Sequence, residues 1–235
     1  MKCIFVISLS LIYMFSYSQK TNIKESEKNA LTIINDSIKF KKLLAIRIYS
    51  DKAFNKSDLN DIIYKSDFNG LISVLTLNFD EGVRILKNQD ISNTNYNIQE
   101  LFKIALENTK KINKNNKFEK VPIQEDFAFY VSEDVNNFFI NSTIFDKEKL
   151  LKLERTSGVV IAIPTRGTVL VMPIREKENF SNDIRVFYEV VNQMYLNENN
   201  PTSNALTICV KNEFYPIIPI YNKDRTVNFS IPNIW

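Results

Sequence analysis

The sequence predicts an α+β protein: a mixed or antiparallel sheet built from two ββα-like units, with helices packed on it. Three observations lead there. Two apolar, β-rich runs, Val159 to Ile163 and Thr168 to Met172, flank the turn residues Pro164-Thr165-Arg166-Gly167, which is the pattern of a hairpin. The period then changes, and Ile184, Phe187, Tyr188, Val191, Met194 and Tyr195 follow the i, i+3, i+4, i+7 spacing of a core-facing helical stripe. The same order of strand, turn, strand and helix occurs earlier, from Leu71 to Lys111. Each such unit has an apolar sheet face and an apolar helix stripe, and stacking the two layers buries both.

The chain opens with Lys2 and an almost uncharged apolar segment, Cys3 to Tyr17, followed by Ser16-Tyr17-Ser18-Gln19. Small residues two apart suit cleavage after Ser18, so residues 1–18 read as a signal peptide. The apolar stretch is only about 14 residues, against the roughly 20 that span a bilayer, which favours cleavage over a retained membrane helix. Cys3 comes too early to be a lipid-attachment cysteine. The expected product is exported, periplasmic or secreted. Residues 19–235 are enough for one α+β domain, either a single unit or two half-units at about 43–112 and 127–218. No later run approaches membrane-spanning length.

Along the mature chain, 20–40 carries Ile23, Ala30, Leu31, Ile34 and Ile38 near helical spacing and reads as a first helix. Leu43 to Tyr49 reads as a strand, and Ser57 opens a short helical segment through Tyr64. After the turn cluster Asp67-Phe68-Asn69-Gly70, the run from Leu71 to Asn78 is apolar on both faces, which predicts an interior strand. Asp80-Glu81-Gly82 turns the chain into a short strand from Val83 to Leu86. Asn97 with Glu100 reads as a capping-box start for the next helix, whose Ile98, Leu101, Phe102, Ala105 and Ile112 share one face.

Lys110 to Lys120 is basic and Asn-rich; without interleaved aromatics it reads as a solvated connector rather than an anion or nucleic-acid patch. Phe127 to Val131 reads as a strand and Val135 to Ile140 as an apolar segment, with a helix from about Asp146. Ser181 is the expected N-cap of the main helix, and Asn200-Pro201 ends it soon after Leu196. Ala205 to Val210 and Glu213 to Ile218 form a closing hairpin about Lys211-Asn212, and the tail beyond Pro219 is expected to lie across the surface.

Four segments carry a resemblance: LISVLTLNFDEGVRILKNQDI, LFKIALENTKKI, SGVVIAIPTRGTVLVMPI, and the closing strand LTICVKNEFYPI after the main helix. In that order, over roughly residues 43–216, the chain resembles the YtpQ-like family of uncharacterised bacterial proteins. The resemblance implies an α+β fold and carries no reaction with it. Members of that family look intracellular and have an extra amino-terminal region, whereas this chain has a leader and little room before Leu43. The family's glycine-and-aromatic segment before the central helix corresponds here to Asn137-Phe138-Phe139-Ile140-Asn141-Ser142, which lacks the glycine.

Composition excludes several chemistries. There are 0 histidines, which removes Ser-His-Asp and Cys-His hydrolases, His-based zinc sites and His general bases. Only 4 glycines exclude Gly-rich phosphate loops, and a net charge of +3, to which Lys2 of the leader contributes, leaves no electrostatic footprint for nucleic acid. Once the leader is removed Cys209 stands alone in an apolar run, which precludes an intramolecular disulfide and points to a buried strand residue rather than a nucleophile.

The acidic pairs Asp80-Glu81, Glu125-Asp126 and Glu133-Asp134 read as turn and solvation chemistry, with neither metal nor cofactor expected. The residues singled out for binding are Thr165 and Arg166, at the tip of the central hairpin, where an arginine fork would meet a carboxylate or phosphate. The expected function is a non-enzymatic exported binding or protein-interaction module, with an unknown protein or small ligand as partner. The alternative is a carboxylate-dependent hydrolase with an oxygen-bound divalent metal, distinguished by a concave pocket holding two converging acids.

Overall fold

The computed structural model describes residues 32–80, 82–124, 127–156, 158–175, 177–198, 201–224 and 226–231. The expected signal peptide, the first part of the expected 20–40 helix, Glu81, Glu125-Asp126 and Trp235 lie outside them. The described residues are α+β, with two sheets rather than one, and every strand pairing in them is antiparallel.

The first sheet is organised on β3 (Leu71–Phe79), with β1 (Leu44–Ser50) along one edge. The other edge is shared end to end: β2 (Tyr64–Phe68) pairs with the first half of β3 and β4 (Gly82–Ile85) with the second. This interior position is why β3 is apolar on both faces. On one face Leu44, Ile46, Leu75 and Leu77 pack against Leu101, Phe102 and Ala105 of the helix Ile98–Ile112. The other face holds Ile72 and Val74, with Tyr49, Phe54 and Leu59 against them.

The second sheet runs, from edge to edge, β11 (Val227–Ser230), β10 (Glu213–Tyr221), β9 (Leu206–Val210), β7 (Gly158–Thr165), β8 (Thr168–Pro173), β6 (Phe127–Glu133) and β5 (Glu119–Gln124). Its centre is the predicted hairpin, β7 (Gly158–Thr165) and β8 (Thr168–Pro173), fully buried along both strands. Val160, Ala162, Leu170 and Met172 face Ile184, Phe187, Tyr188 and Val191 of the long helix Lys177–Asn197. Val159, Ile161, Ile163, Val169 and Val171 face the other way, toward Ile48, Phe68 and Leu71 of the first sheet and Ile144 and Leu150 between the sheets. Each of the fully buried Val, Leu, Ile, Phe and Met side chains among these contributes about 1.5–3 kcal/mol relative to exposure. Cys209, on β9 (Leu206–Val210), is buried in the same layer, and burial pushes its thiol up.

Several boundaries differ from the sequence reading. The expected 20–40 helix is interrupted: 32–34 are helical, Asp36 accepts the N–H of Lys39, and a separate helix Ser37–Leu43 follows, so Leu43 ends a helix instead of opening a strand. Asn55, not Ser57, caps the short helix Lys56–Asp61, and Tyr64 begins a strand. Asn97 caps its helix by accepting from Gln99 and Glu100, but the Glu100 carboxylate reaches Lys41 at 3.2 Å instead of returning to the cap. Ser181 lies inside the long helix, which starts a turn earlier because Phe180 extends its apolar stripe.

The basic connector shrinks to 113–118, since the helix before it runs to Ile112 and β5 (Glu119–Gln124) follows. The apolar segment Val135 to Ile140 is a turn leading into a 3₁₀ segment, Ile140–Phe145. The tail beyond Pro219 completes β10 (Glu213–Tyr221) and then adds β11 (Val227–Ser230) to the sheet. No helix among the described residues is long and apolar enough to cross a membrane.

Candidate functional site

Strand register and one irregular segment build the site. Arg47 and Tyr49 are two apart on β1, so they share a face, opposite Ile46 and Ile48. Arg166 sits with Gly167 in the two-residue turn between Thr165 and Thr168, which pair across it. Between β1 and this turn runs the connector 134–145. It is fastened to the turn by the Asp134 N–H donating to the Gly167 carbonyl at 3.0 Å, and to β1 by the Ser142 hydroxyl donating to the Ile46 carbonyl at 2.8 Å. Gly167 is needed for this closeness, because a Cβ there would lie 3.1 Å from Val135 Cα.

The connector presents Phe138 outward, 41% exposed. Its neighbours are held firmly: Asn137 Oδ1 accepts the Phe139 N–H at 2.9 Å, and Asn113 Nδ2 donates to the Phe139 carbonyl at 2.8 Å. Both arginines come to the Phe138 ring, each with its guanidinium carbon 5.2 Å from the centroid. Arg47 also lies 4.7 Å from the Tyr49 ring. The two cations are therefore no further apart than twice 5.2 Å, within about one Debye length at 0.1 M salt, so each lies in the repulsive field of the other. Among the described residues neither makes an ion pair with a carboxylate. Burial holds the Arg47 guanidinium below its ordinary value, Tyr49 opposes that shift, and Arg166 adds to it. Burial likewise pushes the Tyr49 phenol up, against the two arginines.

Of the two residues singled out from the sequence, Arg166 is exposed at the tip and takes part in this cluster. Thr165 is buried; its hydroxyl donates to Thr168 Oγ1 at 2.9 Å and its carbonyl accepts from Asn141 Nδ2 at 3.3 Å, so it braces the turn from below. Sequence reasoning missed Arg47, Tyr49 and Phe138. One signal was present: Arg47 is the single charge in the run Leu43 to Tyr49.

A polar cleft of about 460 Å³ borders the connector, lined by Lys117, Glu119, Ser132, Glu133 and Asp134 among others. Asp134 Oδ1 accepts the N–H groups of Asn136 and Asn137 at 3.0 and 3.2 Å, as expected for a turn residue, and the Thr168 hydroxyl reaches Glu133 Oε1 at 3.5 Å. No group of three Asp, Glu or Cys side chains among the described residues is placed to hold a metal ion.

No protein-family model matches the chain, and no curated protein or solved structure is similar to it. Two guanidinium groups that have no acidic partner among the described residues, beside an exposed phenyl ring, can clamp an anionic group in bidentate hydrogen bonds while the ring offers apolar contact. Unlike the carboxylate-lined cleft, the cluster presents groups suited to holding a partner rather than to moving a proton.

Proposed function

We propose that the protein is a non-enzymatic exported binding or protein-interaction module, with the β7–β8 turn and the adjoining face of β1 as its contact surface. The observation that carries this reading is the convergence of Arg47 and Arg166 on Phe138 with no carboxylate partner among the described residues. Holding two like charges together without a counter-ion costs stability, and a binding site repays that cost when an anion arrives. The absence of histidine from the chain supports the same reading.

A carboxylate-dependent hydrolase, using the cleft lined by Glu119, Glu133 and Asp134, is the second reading. Co-purification of the native, processed protein separates the two. A reproducible stoichiometric partner or ligand, with no turnover of a panel of glycosides and esters, supports the module. Hydrolysis that disappears in Glu133→Gln overturns it. Export is tested on the same material by amino-terminal sequencing, with Gln19 as the expected first residue and an intact Met1 in the cytoplasmic fraction as the contrary result.

A further inference from the structure

The cluster also says what kind of partner fits it. Arg166 and Phe138 stand exposed at the surface, with Arg47 half-buried beside them. Small molecules bind in concave sites that bury most of their surface, whereas exposed arginine and aromatic side chains are the anchors of protein interfaces. Val135, 75% exposed, lies against Gly167 and extends the apolar part of the patch beside Arg166.

Charge narrows the choice further. Two cations call for one or two negative groups, not an extended polyanion. Glu133 and Asp134, just before Val135, would repel a nucleic-acid backbone running past the turn, and the whole chain carries only +3. The planar guanidinium fork matches a planar carboxylate, with two parallel N–H···O bonds to its oxygens.

We infer that the surface formed by Arg47, Tyr49, Val135, Phe138 and Arg166 docks a protein partner through a side-chain carboxylate set next to an apolar residue. The carboxylate bridges the two guanidinium groups, and its apolar neighbour covers Phe138 and Val135. This deepens the module reading and rests on it, because it names the partner's chemistry at the same surface.

The test selects a phage-displayed random peptide library on the intact processed protein and remeasures the enriched sequences as synthetic peptides by fluorescence anisotropy. The expected peptides carry Asp or Glu beside Phe, Leu or Tyr. Their affinity falls about tenfold or more in Arg47→Ala and in Arg166→Ala, falls equally when the peptide acid becomes its amide, and weakens as salt is raised. In the charge-swapped pair, Arg166→Glu recovers binding to the peptide whose acid is replaced by lysine. Circular dichroism of each variant confirms an unchanged fold, and Arg47→Lys keeps part of the affinity should Arg47→Ala fold poorly.

Enriched peptides without acids, or acidic peptides indifferent to both arginines, overturn the inference while leaving the module reading intact. So does tighter binding of a phosphoserine peptide, a single-stranded oligonucleotide or inorganic phosphate to the same two arginines. Failure to enrich any peptide also overturns it, whereas the module reading falls only on turnover in the hydrolysis panel.

Discussion

Ser142 donates its hydroxyl hydrogen to the carbonyl of Ile46, 96 residues earlier in the chain, at 2.8 Å. The N–H of the same Ile46 donates to Thr109 Oγ1, also at 2.8 Å. Two side chains from different segments thus satisfy both backbone groups of Ile46 on the free edge of β1, where they would otherwise be buried and unpaired. This edge carries Arg47, so its fixation also positions the candidate site.

Removing either hydroxyl leaves a buried backbone group unpaired. Ser142→Ala and Thr109→Val are each expected to lower stability by about 1–3 kcal/mol, measured as a shift of the urea midpoint at unchanged slope. Because both hydroxyls hold one residue, the double variant is expected to depart from additivity, and a strictly additive result would disconnect them.

Arg47 is expected to cost stability where it stands. It is partly buried, close to a like charge and without an acidic partner among the described residues, so Arg47→Leu is predicted to raise stability by about 1 kcal/mol while abolishing binding at this surface. Thermal denaturation checks it, and a lowered midpoint would assign Arg47 a structural role instead.

The turn between β9 and β10 is a two-residue hairpin loop in which Lys211 and Asn212 have φ of 50° and 63°. Asn-Gly is the pair that such a loop favours, since lysine carries a Cβ cost in the left-handed region. Lys211→Asn combined with Asn212→Gly is predicted to stabilise the protein by about 1 kcal/mol, read from chemical denaturation. The contact of the Lys147 ammonium with the backbone carbonyl at 212 survives both changes.

Lys120 and Glu154 link β5 to the turn before β7, with Tyr130 also donating to the Glu154 carboxylate. The Lys120 bond holds Glu154 below the ordinary carboxylate range despite burial, and the same bond raises Lys120 above its ordinary value. A depressed carboxylate stabilises above its unfolded pKa and loses that contribution as pH falls through the folded value. A raised lysine stabilises below its unfolded pKa and loses it as pH rises through the folded value. The stability difference between wild type and Glu154→Gln is therefore expected to be level around neutrality and to shrink at both the acid and the alkaline ends. A difference that grows at either end contradicts the assignment.

The central hairpin and the long helix were legible because burial dictates their composition: a strand covered on both faces is continuously apolar, and a helix covered on one is periodic. β2 and β5 were not. Tyr64, Lys65, Ser66 and Asp67 are exposed, and β5 carries Pro122, so their strand character comes from pairing with β3 and β6 rather than from their own side chains. The site was half legible. Turn residues marked Arg166, but its meeting with Arg47 and Phe138 depends on how the connector crosses between the sheets, a tertiary contact with no local periodicity.

The opposed faces of β7 and β8 tie the molecule together in a way that bears on how it can be taken apart. One row of their side chains completes the layer under the long helix and the other row completes the layer under Ile48 and Leu71, so severing the chain within 113–118 would strand each piece with an open flank. Two such fragments, produced separately, should stay largely unstructured alone and regain their shape only on mixing, which makes that stretch a natural place to split the protein into a reassembling reporter.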